Sequence, residues 1–175
     1  LHRRRHSFPT RRSSDLAIHS FGLLRDLQEE LRELLQEDEA LFAPPRVLVL
    51  SENLGNIESE VQKAVGTLNT GGGIVVIHNP EVAPTDARKP WMFAVTILVE
   101  CMEKSIVNRS TTGNQVWGER LGEIVFNLLQ NYQPTSNGWT PLIRTTWTTG
   151  KSESGDLVDA VTFSTETVYD TITTD

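Results

Sequence analysis

The chain has 175 residues, one cysteine and 38% hydrophobic residues, with 16 basic against 23 acidic side chains for a net charge of -7. That length fits one domain with a core of its own, and the lone cysteine excludes an internal disulfide framework. No apolar run approaches the roughly 20 residues that span a bilayer, and the composition excludes a collagen-like fibre and a cysteine-rich zinc fold.

Charge is unevenly placed. Residues 1–16 hold Arg3, Arg4, Arg5, Arg11 and Arg12 against Asp15, a net of +4; the other 159 residues hold 11 basic and 22 acidic groups, a net of -11. A basic, serine-containing arm is compatible with a transit peptide, a twin-arginine signal or a nucleic-acid arm. No apolar stretch follows the arginines, however, and Pro9 interrupts a continuous amphipathic helix. The string His6–Leu16, HSFPTRRSSDL, instead resembles the in-frame translation of a common sequencing-library adapter. Residues 1–16 are therefore expected to be an artefactual or disordered segment, detached from a single α+β domain over 17–175, in a sequence of metagenomic origin.

Within that domain Ile18, Phe21, Leu24, Leu27, Leu31, Leu34 and Leu35 recur at three- and four-residue steps, which predicts an amphipathic helix over about 17–38. Its polar face pairs like charges, Glu29–Glu33 and Glu33–Glu37, and its acidic C-terminal end opposes the helix dipole, so docking has to supply its stability. Pro44 and Pro45 end this unit. A short strand over 46–51 follows, then a turn at 53–56 and a helix over 57–68 with Asn56 as N-cap. Asn69–Gly73 ends that helix, a strand covers 74–77, and 81–90 reads as a Pro-bounded loop.

The longest strand runs from Trp91 to about Lys104. Trp91, Phe93, Val95, Ile97, Val99 and Cys101 form an apolar face for the core, and the opposite face is mixed and half-covered by a neighbour or partner. A polar connection (105–115), a helix over about 114–132 and a break at 133–138 precede two antiparallel strands over 139–148 and 157–167, with Thr-rich outward positions. The order α-β-α-β-β-α-β-β predicts a single mixed, largely antiparallel sheet with two to three helices packed on one face.

The same residues offer little chemistry. The glycines of Asn69–Gly73 follow a helix and precede a strand, the reverse of a phosphate-cradling loop. No GxxxxGK[ST], GxGxxG, HExxH or GxSxG occurs. His19 and His78 lack metal-ligand spacing, Cys101 reads as a small core residue, and Glu100 and Glu103 point to opposite faces of one strand with no acid placed beside them. No catalytic, cofactor-binding or metal site is expected, and no enzymatic activity. Beyond residue 16 the only local basic spots are Arg88-Lys89 and Lys104/Arg109, which argues against specific nucleic-acid binding.

The stretch VTILVECMEKSIVNRSTTGNQVWGERLGEIVFNLL (95–129), with its long strand, its polar loop holding Asn108-Arg109-Ser-Thr-Thr-Gly113 and its helix with Trp117 and Leu121, resembles the tail terminator, or minor tail protein, group of long-tailed bacteriophages. The resemblance is one of element order over about 17–172 and extends to head–tail connector and neck proteins; the helix over 57–68 departs from it. It implies a virion structural protein, assembled in the bacterial host cytoplasm, that forms a hexameric ring capping the tail tube. The implied partners are the tube protein, the head–tail connector protein and further copies of itself, with no cofactor and no membrane. The alternatives are a small ligand-binding domain or enzyme, for which Glu100, His78 and Asn79 converging on a deep pocket would argue, and an adaptor of a contractile injection machine.

Overall fold

The computed structural model describes residues 13–42, 47–52, 56–67, 72–84, 92–103, 121–135, 138–153 and 155–168. Among the described residues the elements are, in chain order, α1 (Ser13–Glu37), α2 (Glu39–Phe42), β1 (Val47–Ser51), α3 (Ile57–Thr67), β2 (Gly73–Ile77), β3 (Glu81–Pro84), β4 (Met92–Glu103), α4 (Leu121–Leu129), β5 (Ile143–Lys151) and β6 (Leu157–Val168). The fold is α+β, built on one six-stranded, mixed and mostly antiparallel sheet of order β1-β2-β4-β6-β5, with β3 also on β4. β1 and β2 are parallel, joined through α3. β4 runs antiparallel to β2, β3 and β6, and β5 and β6 form an antiparallel pair.

Alternation along β4 decides which face is inside. Val95, Ile97, Val99 and Cys101 are buried, and with Val161 and Phe163 of β6 and Val75 and Ile77 of β2 they form one wall of the main core. Leu27, Leu31 and Leu35 of α1, and Leu121, Val125 and Leu129 of α4, close it from the same side. α1 and α4 thus share one face of the sheet. α3 lies on the other, where Ala64 packs with Leu50, Ile74 and Val76 in a second, smaller cluster joined by Met102. β2, buried throughout, is covered on both faces.

Local rules explain the element ends. Asn56 caps α3, its Oδ1 accepting the Ser59 N–H at 3.3 Å. Asn131 has φ 64°, a left-handed backbone that asparagine tolerates and that stops α4. Gly155 has φ 83° in the β5–β6 turn, where the Asp156 N–H returns to Ser152 Oγ at 3.1 Å.

Several boundaries differ from expectation; two are simple, β5 running on to Lys151 beyond the expected 148 and α4 stopping at Leu129 short of the expected 132, where Asn131 turns left-handed. α1 begins at Ser13, so residues 13–16 of the segment expected to be detached continue the helix; residues 1–12 lie outside the described residues. A four-residue turn, α2, follows α1, its Leu41 N–H held by Asp38 Oδ1 at 3.3 Å. Part of the expected loop 81–90 is strand: Val82 and Ala83 pair with Val95 and Ala94, and Pro84 sits at the strand end, where its missing N–H costs little. The strand expected from 139 begins at Ile143, because Pro141 precedes it and Leu142 instead donates to the Tyr132 carbonyl at 2.8 Å. The expectations for Pro44-Pro45, the 53–55 turn, Asn69 to Gly71, 85–91, 105–115 and the helix start at 114–120 lie outside the described residues.

Candidate functional site

Three places combine polar or aromatic groups in ways the core does not require: the ends of β1 and β2, the N-terminus of α4 and the edge strand β5.

At the first, Ser51 pairs with Ile77 in parallel register. The residues that follow, Glu52 and His78, therefore leave the sheet side by side. The register on β4 moves from Ile77↔Val99 to Glu81↔Thr96, so three residues, 78–80, face two, a β-bulge at His78. The bulge is anchored. The His78 N–H donates to the Leu98 carbonyl at 2.9 Å, and the buried Gln28 of α1 donates through Nε2 to the carbonyls of Ile77 and His78 at 2.9 and 3.1 Å. The imidazole lies between two carboxylates, with Nε2 3.2 Å from Glu100 and Nδ1 3.5 Å from Glu52. Glu52 also accepts the Asn79 N–H at 2.7 Å.

The hydrogen bond with Glu100, opposed by partial burial and reinforced by the charge of Glu52, raises the pKa of His78 above 6.5. The same hydrogen bond, again against burial, lowers that of Glu100 below 4.5. Both ring nitrogens face carboxylates. A general base needs one nitrogen free for the substrate proton while the other is held. The two nitrogens also point apart, so both carboxylates cannot join the imidazole around one metal ion. Among the described residues no cluster of three or more His, Cys, Asp or Glu is disposed to hold a metal. What this arrangement does is clasp the ends of β1 and β2 to each other and to the interior of β4.

At the second place, β4 ends on Glu103, which continues its core-facing side and is buried. Glu103 Oε2 accepts the Leu121 N–H at 3.1 Å, satisfying a donor of the first turn of α4. Asp159, also buried, accepts Trp147 Nε1–H at 3.1 Å and the Thr149 hydroxyl at 2.6 Å. It lies so close to Gly122 that a Cβ there would meet its Oδ2 at 2.5 Å. The positive end of the α4 dipole favours both carboxylates. Cys101 lies among them, and burial together with the charges of Asp159, Glu100 and Glu103 pushes its thiol up, away from the thiolate. Its expected role as a small core residue holds.

At the third place, β5 ends the strand order, and Trp147 is its one residue that is not fully exposed. Trp147 packs on Phe126 of α4, centroids 5.2 Å apart, and Phe126 stacks on Phe163 at 6.5 Å. The Arg144 guanidinium lies over both rings, 5.2 Å from Phe126 and 6.0 Å from Trp147. A register shift between Arg144 and Thr146 leaves Thr145 bulged, with its hydroxyl on the Thr162 carbonyl at 3.1 Å. Beyond the bulge, Thr146–Gly150 is a regular strand with no charge and no proline.

Of the residues singled out by sequence, His78 and Glu100 do come together, Asn79 joins them through its backbone, and Glu103 faces away from them. Glu52 was missed. Its signal is positional: it and His78 each follow a strand of one β-α-β unit, whose parallel strands end level. Arg88-Lys89 and Lys104/Arg109 lie outside the described residues. No helix among the described residues is long and apolar enough to cross a membrane. No protein-family model matches the chain, and no curated protein matches it.

Proposed function

We propose that the protein is a structural subunit of a phage tail, a tail terminator or completion protein whose copies close into a ring, expected to be hexameric, that caps the tail tube and joins it to the head. One observation carries the reading: β5 is exposed along its length and ends the strand order, and between the Thr145 bulge and Lys151 its five-residue stretch Thr146–Gly150 carries no charge and no proline. At the other end of the strand order β1 is packed by α1, whose Gln36 amide donates to the Val49 carbonyl at 3.4 Å, and by α3. Among the described residues the two ends of the strand order therefore differ, β1 flanked by helices and β5 bare, the asymmetry that head-to-tail contacts in a ring use. The outer face of β4, β6 and β5 adds half-exposed Thr96, Thr162 and Ser164, with Leu98 36% and Ile143 47% exposed. The net charge of -7 suits a lumen through which DNA passes without adhering; a basic inner surface in the assembled ring would contradict that part.

The clasp around His78 supports an enzyme less than an assembly subunit, because it leaves neither ring nitrogen free. Tail-tube and tape-measure genes beside the coding sequence would support the phage reading, and injection-machine genes the adaptor reading. The biochemical test places lysines on the edge. Thr146→Lys with Thr148→Lys, both exposed, is expected to leave the circular dichroism spectrum unchanged and to abolish assembly. Gln62→Lys on the exposed side of α3 serves as charge control and is expected to assemble normally. Assembly of the double-lysine variant at wild-type concentration would contradict pairing through β5.

A further inference from the structure

Arg144 belongs to a chain in which acids outnumber bases, yet among the described residues no carboxylate forms an ion pair with it. Its side chain is instead held against the faces of Phe126 and Trp147, and the Arg144 N–H donates to Gln130 Oε1 at 3.0 Å. A guanidinium lying over aromatic rings at 5.2 and 6.0 Å from their centroids is drawn to their faces while its side chain stays exposed, so its N–H donors remain open to a carboxylate. Arginine beside tryptophan is also the composition that dominates binding energy at protein interfaces.

The chain carries a matching surface. Asp26, Glu33 and Glu37 are exposed and, at spacings of seven and four, fall on one outer stripe of α1. The last turn of α1 holds no basic residue, so Glu33 and Glu37 stand at the negative end of the helix dipole and repel one another at i,i+4. Arg32, the nearby cation, is engaged with Glu29 at 2.7 Å. A cation from outside would relieve both penalties.

We infer that Arg144, with Phe126 and Trp147, anchors a subunit contact in which it receives the Asp26–Glu33–Glu37 stripe of α1 from a second copy of this chain. The inference rests on the ring-forming reading and specifies which surfaces meet. The contact is heterologous, joining two different surfaces, as ring closure requires.

Charge reversal on the full chain, read by sedimentation velocity over a concentration series, tests it. Arg144→Glu is expected to weaken assembly about tenfold or more, and raised salt should weaken the wild type in the same direction. Glu33→Lys with Glu37→Lys should weaken it comparably, whereas combining the three substitutions should restore it. Arg144→Lys, which keeps the charge and loses the forked guanidinium donors, should fall between wild type and Arg144→Glu. An Arg144→Glu variant that folds and assembles like the wild type overturns the anchor while leaving edge pairing by β5 intact. Loss on Arg144→Glu without rescue by the reversed α1 overturns α1 as the counterpart, as does an Arg144→Glu chain that self-assembles but no longer binds tube protein. A wild-type chain that stays monomeric overturns both the contact and the ring.

Discussion

Single residues in this protein carry consequences their types do not announce. His78 is the clearest. Its raised pKa means that the stability it contributes is fully present below 6.5 and is lost as pH rises through the higher, folded-state value. The lowered pKa of Glu100 means that its contribution is present above 4.5 and is lost as pH falls through the folded-state value. The clasp is therefore strongest between those limits. His78→Gln should cost most stability in urea unfolding at about pH 5.5 and progressively less toward about pH 8.5; a pH-independent difference would show that the imidazole acts by packing alone. Gly122 is a second case. A Cβ there would overlap the buried Asp159 carboxylate, so Gly122→Ala should destabilise by roughly 1–3 kcal/mol in the same assay, although alanine is the better helix former. Tyr132 is a third. Burial, and then donation of its hydroxyl to Glu30 at 2.9 Å, push its pKa up to about 12. None of the three is visible to pattern reading, because each depends on a partner brought from another element.

The elements were far more legible. Apolar residues at three- and four-step spacing marked α1, and Leu27, Leu31 and Leu35 are all fully buried. Strict alternation marked β4, and its core face is as expected from Val95 to Cys101. Legibility failed where tertiary pairing overrides local composition. Glu81 and Pro84 make 81–84 look like a loop, yet the open edge of β4 supplies hydrogen-bond partners and turns it into β3. Glu103 would have been expected apolar from the alternation; it is buried because the start of α4 brings an N–H to its carboxylate. α1 is the element on which the docking argument rests, since its acidic face disfavours it in isolation. Leu31→Ala at its fully buried centre should cost about 2–5 kcal/mol. A cost under about 1 kcal/mol would mean that α1 is not packed as described.

At the scale of the molecule, the two ends of the strand order differ among the described residues. α1 and α3 pack β1, while β5 presents an uncharged stretch of backbone beside an aromatic-held arginine. Sequence anticipated Thr-rich outer positions and a half-covered face, but not which strand lies at the edge. Strand order is set by long-range pairing: β6 inserts between β4 and β5. The ring proposal rests on that order, and the mass of the intact chain in solution tests it most directly. Sedimentation over a concentration series, alone and with tail-tube protein, should yield a discrete species at six times the 19.6 kDa chain mass. A strict monomer at the highest concentration, with and without the tube, would contradict it.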